Sequence, residues 1–84
     1  MTRTEIVAII HRFINETRDN KGMPPISVHD GTGLLGEDAG LDSLDLAGLV
    51  VELQSATDSD PFQQGFLNFN TAGELAELFV GAQR

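Results

Sequence analysis

Cysteine is missing from all 84 residues. Neither a disulfide framework nor a thiolate metal site is therefore available, and any thiol chemistry has to come from a group added to the chain. The absence fits a reducing cytoplasm. Also missing are an apolar stretch long enough to span a bilayer and a segment built like a signal peptide, so the sequence predicts a soluble protein with no membrane partner. The scarcity of basic residues says more. From Gly22 to Gln83 there is no Lys or Arg against ten acids, whereas Met1 to Lys21 holds four basic residues (Arg3, Arg12, Arg18, Lys21) against three acids. The net charge of −8 is thus gathered beyond Lys21, where it repels nucleic acid and anionic lipid and steers basic protein patches towards itself. The partner to expect is a protein with Arg and Lys at its docking site. Charge alone suits equally an acidic surface kept for solubility.

Eighty-four residues with 40% hydrophobic content make one small domain, residues 1–84. Such a domain buries about 60% of its unfolded surface and is only marginally stable. Thr2-Arg3-Thr4-Glu5 has capping-box spacing, and Ile6, Ile9, Ile10, Phe13 and Ile14 recur on one helical face. The pattern predicts a first amphipathic helix from about Arg3 to Thr17. Arg18 to Asp42 reads as a long loop, carrying Pro24-Pro25 and five glycines, with Ile26, Val28, Leu34 and Leu35 as candidates to pin it to the core. Its glycines are followed by no Gly-Lys-Ser/Thr and lack a spaced fingerprint, which argues against a nucleotide cradle. His11 lies off the apolar stripe, with no second ligand spaced to join it in a metal site, and His29 is a loop surface residue.

At Gly40-Leu41-Asp42-Ser43-Leu44 a flexible, acidic approach meets an apolar run. Asp42 is placed as N-cap, Ser43 as the first helical residue, and Asp45 in the first turn, where the helix dipole favours negative charge. Ser43 is therefore expected to be exposed and oriented. A phosphate ester on it would lie against free backbone N–H groups. Serine is common at helix starts for capping reasons alone, so the tripeptide needs its context. The second helix, Ser43 to about Ser55, is apolar on more than one side (Leu44, Leu46, Ala47, Leu49, Val50, Val51, Leu53), which marks a central helix or one with a face that meets something else. Gly48 in its middle is either tolerated or lets another chain come close. Asp60-Pro61 predicts a short third helix ending before Gly65, in a region where Phe62, Phe66, Leu67 and Phe69 are expected to be core. Thr71-Ala72-Gly73-Glu74 repeats the capping-box spacing and opens a last helix ending near Gly81.

In this order of elements the chain resembles the acyl carrier protein family, including its peptidyl and aminoacyl carriers. Asp42-Ser43-Leu44 stands after a Gly-rich acidic loop and opens the second main helix, and Thr71-Ala72-Gly73-Glu74-Leu75 opens the last. The resemblance implies an all-α fold, a small acyl-carrier-like bundle of three main helices plus one short helix. It also implies that a phosphopantetheinyl transferase moves 4′-phosphopantetheine from coenzyme A onto the Ser43 hydroxyl. The thiol of that arm would hold an acyl or aminoacyl group as a thioester, supplied by a loading ligase and used by downstream enzymes. The protein itself would catalyse nothing and work as a monomer. Leu44 would be an apolar anchor beside the arm, while Asp38, Asp42, Asp45 and Glu52 would offer carboxylates to basic docking patches.

Two departures bear on which carrier this resembles. Where fatty-acid-type carriers usually have glutamates along the second helix, this chain has Gly48, Gln54 and Ser55. The stretch from Asp60 to Phe66 also lacks the usual acidic helix. Both imply a specialised biosynthetic pathway. The competing account is an unmodified acidic helical interaction module in which Ser43 is only a helix-start residue. A serine hydrolase is a poorer match, since no Gly immediately precedes Asp42, the chain is short for that fold, and no motif places a His/Asp set.

Overall fold

Each of the three helices among the described residues starts from a reciprocal pair of side-chain-to-backbone hydrogen bonds. The computed structural model describes residues 1–36, 38–63, 65 and 68–82. Helix α1 spans Arg3–Asn20, α2 spans Ser43–Thr57 and α3 spans Ala72–Ala82. Before α1, Thr2 Oγ1 accepts from the Glu5 N–H at 3.1 Å and Glu5 Oε1 accepts from the Thr2 N–H at 2.9 Å. Thr71 and Glu74 repeat the arrangement before α3, at 3.2 and 3.1 Å. Both boxes were legible as Thr-x-x-Glu, because two orphan donors at a helix start demand two acceptors three residues apart.

α1 runs beyond the expected Thr17. Arg18 belongs to its last turn and is buried, donating from Nε to the Pro24 carbonyl at 2.8 Å and from Nη1 to the Ala39 carbonyl at 2.9 Å. A residue that looked like the start of a loop is thus the post around which the loop folds. Beyond the C-cap Lys21, Gly22, with a φ of +75°, lets its N–H reach Asp19 O at 3.0 Å while the Met23 N–H reaches Arg18 O at 2.8 Å, the paired closure of a Schellman end. α2 likewise continues to Thr57, and Asp58 caps it in the left-handed region.

Ile6, Ile10 and Ile14 of α1, Leu49 and Leu53 of α2, and Leu75, Ala76 and Phe79 of α3 are fully buried. α1 packs against both other helices, whereas α2 and α3 scarcely meet. Phe62 and Phe69 stand in the intervening space, 5.8 Å apart between ring centroids, with Phe62 edge-on to Phe79 at 6.3 Å. Phe66 and Leu67 of the expected aromatic core lie outside the described residues. Gly48 accommodates this packing from another side: a Cβ there would sit 3.2 Å from Cζ of Phe13 on α1.

The long loop is held by its backbone as well as its side chains. The Leu34 N–H donates to Asn70 O, and the Ala72 and Gly73 N–H groups donate to Thr32 O and Asp30 O, at 2.9, 2.9 and 3.0 Å. The approach at Gly73 leaves no room for a side chain, since a Cβ would come within 2.8 Å of Asp30 Cβ. Leu34, Ala39 and Leu41 are buried and Ile26 and Val28 half-buried. Leu35, however, is half exposed, because successive residues of an extended segment point to opposite sides and Leu34 has taken the inner one. The short helix expected from Pro61 is instead a turn over residues 61–63. There Asp60 Oδ1 accepts from the Phe62 N–H at 2.9 Å, an Asx turn, and the Gln63 N–H reaches the Asp60 carbonyl at 3.4 Å. Gln64, where that helix would have continued, lies outside the described residues. No helix among the described residues is long and apolar enough to cross a membrane.

Candidate functional site

The start of α2 differs chemically from the other two. Its box is made of two aspartates: Asp42 Oδ1 accepts from the Asp45 N–H at 2.8 Å, and Asp45 Oδ2 accepts from the Asp42 N–H at 3.1 Å. Ser43 and Leu44 occupy the two positions between them, both exposed. Gly40 makes the turn into this segment with a φ of +74° and no space for a Cβ, which would lie 2.6 Å from Met23 Cε and 3.1 Å from Arg18 Nη1. Sequence and site are connected here through Arg18, which holds the chain at Ala39 and so delivers Asp42 to its capping position.

The Ser43 hydroxyl has no hydrogen-bond partner among the described residues, and neither do the backbone N–H groups of Ser43 and Leu44. These donors lie at the positive end of the helix dipole, the ordinary resting place of an anion such as a phosphodiester. Ser43 also opens onto a groove of about 580 Å³ whose walls are mostly apolar: Leu46, Val50 and Val51 from α2, with Phe62 and Phe69 opposite. Gln54 is the last α2 residue to line it, about 16 Å along the helix from Ser43 at 1.5 Å per residue. A second, polar hollow of about 730 Å³ lies beyond, between Asp58, Asp60 and the end of α3. It is remote from the serine and lined by carboxylates, a poor seat for an anionic arm.

The carboxylates predicted to face a partner have distinct situations. Asp38 Oδ2 accepts from the Gly33 N–H at 2.9 Å and so braces the loop. Asp42 is two-thirds exposed. Asp45 is mostly covered, its Oδ2 bonded to Lys21 Nζ. That contact, followed by the Asp42 N–H, holds the Asp45 carboxyl below its ordinary pKa, and it raises that of Lys21 in turn. Glu52 lies half exposed with Arg12 Nη2 at 3.3 Å, tying α2 to α1. Leu44, at 81% exposure, stands free, and Val51 at 62% continues its apolar line seven residues on.

Sequence reasoning missed Lys21 and Arg18 as parts of this site. One signal was present, since Lys21 is the last cation before the long stretch without Lys or Arg, and a helix start crowded with acids draws the nearest cation to it. Phe62 and Phe69 were expected as core and turn out to wall the groove as well. The hydrolase alternative finds no footing: His11 lies by the Ile26 carbonyl at 3.3 Å, and neither histidine contacts Ser43. No group of three His, Asp or Glu among the described residues is placed to hold a metal ion.

A family model described as a phosphopantetheine attachment site matches residues 5–79. The chain belongs to that family. Its members carry a 4′-phosphopantetheine prosthetic group and are carriers rather than enzymes, served by a phosphopantetheinyl transferase and by partner enzymes. The all-α, acyl-carrier-type fold expected from the sequence agrees with this membership. No curated protein and no solved structure matches the chain. A phosphopantetheine arm fits the residues present: an unbonded hydroxyl, two unused backbone donors beside it, and an apolar groove leading away.

Proposed function

We propose that Ser43 is the attachment residue for 4′-phosphopantetheine and that residues 1–84 form a single carrier domain that presents a thioester-bound cargo to partner enzymes. The observation that supports this most directly is the free, exposed Ser43 hydroxyl at the first position of α2, flanked by the unpaired N–H groups of Ser43 and Leu44. The prosthetic group supplies the terminal thiol that a cysteine-free chain lacks. Tethering raises the effective concentration of the cargo at whichever enzyme has docked.

The groove favours an acyl over an aminoacyl cargo. Its walls between Ser43 and Phe69 offer aliphatic and aromatic contact, and among the described residues Gln54 is the one polar lining residue besides Ser43. Burying an ammonium there without a partner would be costly, whereas an alkyl chain gains about 25 cal/mol for each Å² removed from water. Partner enzymes are proposed to meet Leu44 and Val51 as apolar anchors. Asp42 and Glu52 would face basic residues at the rim, with Asp38 and Asp45 contributing to the field behind them. With Gly48, Gln54 and Ser55 in place of a run of glutamates, that surface suits a dedicated set of partners in a specialised pathway, visited by a monomeric carrier in the cytoplasm.

The test is the intact mass of the protein after incubation with coenzyme A and a broad-specificity phosphopantetheinyl transferase, next to Ser43→Ala. The parent is expected to gain one phosphopantetheinyl group and the variant none. A folded parent that gains nothing would make the chain an unmodified acidic interaction module. Loading an acyl group and comparing amide and methyl shifts with the unloaded arm checks the cargo: changes at Leu46, Val50, Phe62 and Phe69 are expected, and their absence removes the groove as its seat.

A further inference from the structure

Among the described residues, the acidic start of α2 has one cation of its own. Arg3 is engaged by Asp30 and Glu77 at the opposite end of α1, Arg12 by Glu52 and Glu16, and Arg18 by two carbonyls. Lys21, at the end of α1, extends instead to the residues around Ser43. Its Nζ bonds to Asp45 Oδ2, lies 3.9 Å from Asp42 Oδ2 and 3.4 Å from the Gly40 carbonyl. Asp45 Oδ2 is the same atom that accepts the Asp42 N–H, so Lys21 grips the capping box from outside. No Lys or Arg between Gly22 and Gln83 can take its place.

We propose that Lys21 is a positioning residue for Ser43: it fastens the Asp42–Asp45 box that orients the serine, and it supplies the countercharge that lets the first turn of α2 bear an anionic phosphodiester. The second half rests on Ser43 being the attachment residue. A phosphodiester adds one negative charge between two carboxylates, and like charges so close weaken the turn that holds them unless a cation is shared among them. The other two helix starts need no such arrangement, because each carries a neutral Thr and a single Glu in its box.

The test compares the parent with Lys21→Met and Lys21→Arg, the latter keeping charge and reach. In unloaded protein, Lys21→Met should speed amide exchange at Asp45 and Leu46 about fivefold, the scale of one partly exposed ion pair, while the α3 amides keep their rates and Lys21→Arg stays near the parent. On loading with coenzyme A and transferase, the parent and Lys21→Arg should keep their Tm within about a degree. Lys21→Met should drop by several degrees between unloaded and loaded forms, and 1 M salt, with a Debye length of about 3 Å, should remove most of that drop. Equal loading shifts in parent and Lys21→Met would overturn the countercharge, and unchanged exchange at Asp45 and Leu46 would overturn the positioning. A folded parent with no mass gain removes the attachment reading and the countercharge with it, while the exchange measurement still decides the positioning role.

Discussion

α1 is covered by α3 along one side and by α2 along another, and the two contacts are finished to different standards. Leu75, Ala76 and Phe79 of α3 are sealed from solvent, and loop residues 30–34 are laced to the start of α3 by three backbone hydrogen bonds. Of α2 itself only Leu49 and Leu53 are sealed, Leu44 and Val51 are exposed, and an open groove lies along the helix. The difference separates two tasks. A domain of this size is marginally stable, so burial left undone along α2 has to be offset by the closer packing elsewhere; the open apolar face of α2 suits the cargo and partners proposed above.

Changes on the closed side should therefore dominate stability. Phe79→Ala removes a fully buried ring that also supports Phe62, and should cost about 3–5 kcal/mol, enough to unfold much of the protein in a urea titration. Arg18→Met, at the point where the two sides share a support, leaves the Pro24 and Ala39 carbonyls without their donor and should cost about 1–3 kcal/mol. Its signature would be faster amide exchange around Gly40 and Asp42, ahead of any loss in α3.

A smaller effect comes from acid. The carboxyl of Asp45 titrates below its ordinary value because of Lys21 and the Asp42 N–H. Its contribution is therefore complete above the unfolded-state pKa of about 3.9 and disappears as pH falls through the lower folded-state value. Thermal melts taken from pH 5 down to pH 2 should show a shallower decline for Asp45→Asn than for the parent, with the variant already less stable at neutral pH. Smallest of all, Leu44→Ser and Val51→Ser should alter stability by no more than about 0.5 kcal/mol, being exposed, yet weaken capture by the transferase in kcat/KM. A large stability loss from either would mean that the open side is closed in solution and would erase the contrast between the two contacts.

Much of this arrangement was legible in the residues. The Thr-x-x-Glu boxes and the 3.6-residue spacing of Ile6, Ile10 and Ile14 announced α1 and α3, because capping and amphipathic burial are local demands. Asp42 as cap and Ser43 as first helical residue followed from the same rules, and so did the suspicion that a helix apolar on several sides had a face to spare. Arg18 escaped for the opposite reason: its partners, Pro24 and Ala39 carbonyls, are backbone atoms that any sequence offers, so nothing in the residue types distinguishes a buried arginine from a solvated one. Leu35 and Leu34 are chemically equal, and only the direction of the extended chain at that point chose which was buried. At Pro61 the side-chain bond from Asp60 to the Phe62 N–H serves a turn as readily as a helix start, so the pair Asp60-Pro61 does not choose between them.

What the sequence determined alone was the set of elements whose causes lie within a few residues of one another: three capped helices, a cysteine-free chain in need of an added thiol, a lopsided charge, and a serine set at a helix start. Tertiary structure decided what surrounds that serine. It brought the end of α1 against the start of α2, so that Lys21 meets Asp45, and it placed Phe62 and Phe69 along the groove beside α2. Both outcomes depend on contacts between residues far apart in the chain, whose strength comes from excluded water and shared charge, and no local pattern carries that information.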